Sequence, residues 1–169
     1  YYPKPKPLAF SAFLSVQNLT GLYSPFTVEA NYNQDMTPYN IPFTACHELS
    51  HLRGFMQEEE ANFIAWLACK DAPETELQYS GSMLAWIHCM NVLYEEDRAA
   101  WSEIREILSE EADVDLRANS EFWDKWDGAV AEVSEQINDN YLKANGQKDG
   151  VQSYGRMADL VVAYYLWEE

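Results

Sequence analysis

The chain is expected to fold as a mainly α domain, α+β at most, with one small β element. Three features of the sequence point there. Apolar residues recur at helical spacing through most of the length from Ile41 onward. Along that stretch Pro and Gly sit at sites that start or stop helices, whereas between residues 20 and 40 they mingle with several Asn. A single run, Phe26 to Tyr32, has the composition of an exposed strand.

Taken in order, residues 8–19 mix apolar and small side chains and predict a short helix. The strand follows. A helix then opens near Ile41, where Pro42 suits a first turn, and closes at Gly54 after Arg53. A second runs from about Gln57 to Lys70, and Pro73 ends it. A third covers about Glu76 to Tyr94, with Met83, Ile87 and Met90 or Asn91 on one side. Residues 97–112 predict a charged amphipathic helix with Trp101, Ile104 and Leu108 inward. Phe122 and Trp126 belong to another, which continues or restarts through Val130, Val133 and Ile137 to Leu142. Asn145-Gly146 and Asp149-Gly150 bracket a turn-rich link before a last helix from about Gln152 to Trp167.

A length of 169 residues suits one domain, residues 1–169, with a core that needs no disulfide staples. Abundant aromatics argue against disorder. The net charge of −17 argues against a nucleic-acid partner, which requires a basic face, and against docking of the domain surface on anionic lipid. Nothing approaches the roughly 18 consecutive apolar residues of a membrane-spanning helix. Residues 1–7, with prolines alternating, predict an extended spacer following a segment upstream of Tyr1. Cys46, Cys69 and Cys89 show no CxxC spacing and are expected as small buried hydrophobes.

The chemistry-bearing stretch is His47-Glu48-Leu49-Ser50-His51, which places two of the three histidines four residues apart. On a helix both imidazoles then project from one face and can reach a single ion. Glu48 lies to the side, where it can take a proton from a water that the ion activates; this is the H-E-x-x-H arrangement of zinc hydrolases.

A catalytic zinc site has three protein ligands and one open position. The break at Gly54 predicts a helix hairpin that returns the acidic start of the next helix, Glu58-Glu59-Glu60, beside His51. Glu58 shares its face with Ala61, Asn62, Ala65 and Cys69, small residues that permit close helix approach. Glu60 shares its side with Phe63, Ile64 and Leu67, expected as a bulky core face, and Glu59 is expected to face solvent. Glu58 is therefore the expected third ligand and Glu60 the alternative, with Asn62 as a partner holding a ligand histidine. Acidic residues in a first turn also complement the helix dipole, which is the plainer explanation of the three glutamates.

For a donor to the developing oxyanion, Tyr154, Arg156 and His88 are the candidates, and Tyr154 is preferred. Arg156 reads more readily as an ion-pair partner and His88 as a core histidine. Thr27 to Asn33 is expected either to line the cleft as an edge strand that pairs with an extended substrate or to form a plain surface loop.

The motif with Glu58-Glu59-Glu60-Ala61-Asn62-Phe63 resembles the gluzincin-type peptidases, whose third ligand lies in an E-x-x-A-[DN]-like helix. More closely, the chain resembles a bacterial family, that of domain of unknown function 3810. The matching stretches are residues 1–7, Ser24 to Asn33, Pro42 to Cys69 and Asn145 to Arg156. The resemblance implies a zincin-like helical domain acting as a zinc metallopeptidase, with His47, His51 and Glu58 as ligands and Glu48 as base. It also implies transmembrane helices upstream, so that the full-length bacterial protein is membrane-anchored, with this domain extracytoplasmic and itself soluble. The expected partner is a polypeptide, and the acidic surface weakly favours basic or unstructured chains. Two other functions share these residues: a non-catalytic metal-binding sensor or scaffold of a membrane protein, and hydrolysis of a non-peptide amide.

Overall fold

A computed structural model describes residues 3–144 and 154–168. It is mainly helical, with eight helices and a small three-stranded sheet among the described residues. Lys6–Pro7 (β1), Gly21–Ser24 (β2) and Glu29–Tyr32 (β3) form the sheet, in the order β1-β3-β2. The helices are Ala12–Val16 (α1), Asn40–Leu52 (α2), Glu58–Lys70 (α3), Thr75–Glu96 (α4), Arg98–Glu106 (α5), Glu110–Asp124 (α6), Ala129–Ala144 (α7) and Tyr154–Glu168 (α8).

The sheet differs from the single strand expected over Phe26–Tyr32. Pro25 cannot donate to a ladder and Val28 takes the left-handed φ of 54°, so residues 25–28 turn and the chain doubles back as a hairpin. Phe26, expected in the strand, sits on that turn and is exposed. β3 pairs antiparallel with β2 on one side and parallel with β1 on the other. The edge strands are therefore β1 and β2, and the expected edge strand, Thr27 to Asn33, supplies the centre. The end of the Pro-rich segment is not all spacer: Lys6 and Pro7 pair with Asn31 and Tyr32, and Lys6 meets Glu29.

The charged helix expected over 97–112 is two helices. Ser109 breaks it because its hydroxyl accepts from the Ala112 N–H at 3.2 Å, and the acidic residues Glu110, Glu111 and Asp113 favour a fresh N-terminus there. Asp97 starts α5 in the same way, accepting from the N–H groups of Ala99 and Ala100. Trp126 falls just beyond α6. The link spanning Asn145-Gly146 and Asp149-Gly150 lies outside the described residues.

α2 and α3 form the central hairpin. Gly54, with φ of 100°, lets the chain leave α2 in a Schellman turn: Gly54 N–H donates to the His51 carbonyl at 2.9 Å and Phe55 N–H to the Ser50 carbonyl at 3.2 Å. At about 100° per residue, Ala61, Asn62, Ala65, Trp66 and Cys69 share one side of α3, and all five are buried. The core gathers there, joining Phe43 of α2, Ala85 of α4, and Met157 and Val161 of α8. Cys46 and Cys89 pack against this cluster, and all three cysteines are free thiols.

This stripe gives a stability prediction. Ala65 is fully buried, so Ala65→Leu is expected to cost about 1–3 kcal/mol through overpacking. The measurement is a lower denaturation midpoint at unchanged slope; an unchanged midpoint would show slack between the helices.

Candidate metal centre

His47 and His51 sit one turn apart in the second half of α2, and Glu58 is the first residue of α3. The Schellman turn brings them together. His47 Nε2 lies 3.0 Å from His51 Nε2 and 3.2 Å from Glu58 Oε2, and His51 Nε2 lies 3.5 Å from Glu58 Oε1. An ion bonding its ligands at about 2.0–2.1 Å in tetrahedral geometry separates them by about 3.3–3.4 Å. The two imidazoles approach different oxygens of the Glu58 carboxylate, and one ligand atom from each of the three residues lies within 4.8 Å of the others, so the group can hold a metal ion.

Tautomer chemistry points the same way. His51 Nδ1 is 2.8 Å from the Phe55 carbonyl, which can only accept, so Nδ1 carries the proton and the neutral ring turns its Nε2 lone pair inward. Two imidazole nitrogens and a carboxylate then converge on one point, an arrangement that a proton or a cation must relieve. Burial raises Glu58, but hydrogen bonds from His47 and His51 outweigh it and hold the carboxyl down at about 2. Burial depresses His51, yet the hydrogen bond and charge of Glu58, with the charge of Glu48, leave it raised.

Glu48 is buried at 4 % exposure beside this group. Burial pushes its carboxyl up to about 7, against the pull of the two histidines and with a smaller push from Glu58. Such a carboxylate is a base matched to neutral pH.

The other expected residues fall in several places. Glu60 is exposed: it lies opposite the buried side of α3, which is centred near Cys69, so the expectation that it faces the core is overturned. Glu59 is the reverse, buried where solvent exposure was expected, and Arg156 Nη1 of α8 approaches its Oε1 at 3.4 Å. Asn62 is buried on the hairpin side but holds neither ligand ring through Nδ1, because His51 Nδ1 meets Phe55 and His47 Nδ1 has no partner among the described residues. His88 is part-buried in α4 and is not one of the converging groups. Tyr154 opens α8, and its side chain lies outside the described residues.

Three contributors were not anticipated. The Phe55 carbonyl was hidden because it is backbone, although Gly54 signals the turn that delivers it. Tyr23 of β2 lies with its ring 6.4 Å from that of His51. Gly21 of β2 lies directly against the Glu48 carboxylate. Nothing local in the sequence marks either β2 residue as part of the site.

No described helix is long and apolar enough to cross a membrane. No curated protein and no solved structure matches the chain. A family profile does, over residues 1–162, described as protein of unknown function (DUF3810). With nearly its whole length matched, the chain belongs to the DUF3810 family.

Proposed function

We propose that the chain is a zinc-dependent peptidase that cleaves extended polypeptide, with Glu48 as its general base. One observation carries the reading: two imidazole nitrogens and a carboxylate stand close enough to share one ion, one residue away from a buried glutamate of raised pKa. The donor set of two His and one Glu is that of catalytic zinc sites with an open position. Zinc held there would supply Lewis-acid polarisation of the scissile carbonyl and acidify the attacking water. Glu48 would accept the proton of that water and return it to the leaving amine.

β2 supplies a place for the substrate backbone. The bond from Asn33 N–H to the Thr20 carbonyl, 2.8 Å, makes that pair a hydrogen-bonded one, and pairs alternate along an antiparallel ladder. The backbone groups of Gly21 and Tyr23 consequently point to the free edge, beside Glu48 and His51, where an extended peptide can add as a strand. Tyr154 is kept as a candidate oxyanion donor. The reading extends to a membrane tether upstream of Tyr1, supported by the implication of the family resemblance.

The test is incubation of the zinc-loaded chain with a library of unstructured peptides. Cleavage that stops on chelation and returns with zinc is expected. A chain carrying one zinc that cleaves none of them overturns the peptidase reading in favour of a metal-binding sensor.

A further inference from the structure

We infer that Gly21 is a positioning residue for the general base: its missing side chain is what allows Glu48 to hold its working position beneath the edge strand. The inference rests on the peptidase reading above. A Cβ built on Gly21 would lie 2.3 Å from Glu48 Oε1 and 2.8 Å from both Cδ and Cγ. Those separations are far inside van der Waals contact, so one partner must move.

The strand is the less able of the two. β2 is paired with β3 along its full length, Gly21 opposite Tyr32 through Ser24 opposite Glu29. Just beyond its start, Asn33 is fully buried and its side-chain amide donates to Ser15 Oγ at 2.9 Å and the Leu19 carbonyl at 3.3 Å. Shifting Gly21 outward strains this anchored corner. Glu48 has three rotatable bonds and meets that Cβ through Cγ, Cδ and Oε1, side-chain atoms that rotation can move, so the side chain yields first. Folding then loses little, because a flexible side chain absorbs the clash. Catalysis loses much, because displacing a base by about 1 Å can cost about a hundredfold in rate. The three heavy atoms nearest that Cβ all belong to Glu48 and none to a metal ligand.

The experiment compares the zinc-loaded chain with Gly21→Ala, Glu48→Asp and the double variant, and with Gly128→Ala as a control whose added methyl meets nothing within 4 Å. Gly21→Ala is expected to keep one zinc and its melting temperature while kcat falls about a hundredfold and KM stays within about twofold. In the Glu48→Asp background the shorter acid leaves room, so adding Gly21→Ala should lower kcat by no more than about threefold, a coupling that only neighbouring side chains show. An unchanged kcat in the single variant, an equal loss in both backgrounds, or loss of zinc or fold would each overturn the inference. Should the parent chain cleave no peptide, the peptidase reading fails by itself. Crystal structures of parent and Gly21→Ala then decide the positioning: a Glu48 carboxylate moved off its site supports it, and an unmoved one overturns it.

Discussion

Glu48→Gln is expected to retain one zinc per chain and to lower peptide hydrolysis by about 10²–10⁴-fold, the range of a lost general base. The amide fills the same space beneath β2, so His47, His51 and Glu58 keep their places. What disappears is the ability to accept a proton. On the proposed reading the loss should fall on kcat, because there Glu48 would act in the transition state while the strand would grip the substrate backbone. Zinc content by mass spectrometry and steady-state kinetics on one preparation check this. A variant that keeps its zinc and cleaves at the parent rate would remove Glu48 from the chemistry.

The same substitution has the opposite consequence for stability once the metal is removed. Burial raises Glu48 from 4.5 to about 7 in the folded chain. Below pH 4.5 the carboxyl is protonated whether folded or unfolded, and it imposes no penalty. As pH rises through 4.5 toward 7, the unfolded chain releases the proton while the folded one holds it, and stability is lost. Gln stays neutral throughout. Metal-free Glu48→Gln should therefore be more stable than its parent by about 3 kcal/mol above pH 7. The gain should shrink through pH 6 and vanish below pH 4.5. Glu58→Gln should show the reverse sign, since its carboxyl is held down at about 2 by the histidines: a group lowered on folding stabilises above pH 4.5 and loses that contribution as pH falls toward 2. Denaturant titrations of the chelated proteins from pH 8 down to about pH 2 check both signs. A Glu48→Gln gain that is flat across that range would place the carboxylate in water rather than under β2.

The parts of this site that could be read from sequence are those governed by helical periodicity. His47 and His51 share a face because four residues nearly complete a turn. Gly54 announces the reversal because glycine takes the φ of 100° found there without the steric cost that a Cβ brings. The small residues Ala61, Asn62, Ala65 and Cys69 identify the side of α3 that approaches α2, and Glu58, rather than Glu60, comes to the histidines.

Other parts depend on contacts between segments distant in sequence. Glu59 is buried because α8 returns Arg156 to it, ninety-seven residues later. β2 lies at an edge because the Pro25–Val28 turn folds the chain back on itself and β1 takes the other side of β3, leaving β3 in the middle. Gly21 looks like ordinary loop punctuation until the strand is seen lying on Glu48. The break at Ser109 is a different matter. Its capping serine and acidic first turn are visible locally, and the amphipathic spacing of Trp101, Ile104 and Leu108 masked them.

The proposal depends on a divalent ion shared by α2 and the first turn of α3. An anomalous-difference map collected at the zinc absorption edge, from crystals of the chain grown with equimolar zinc, tests it directly. The expected result is one strong peak within about 2.3 Å of His47 Nε2, His51 Nε2 and a Glu58 carboxylate oxygen. A peak bound to other side chains, or density at these three with no anomalous signal, would contradict it.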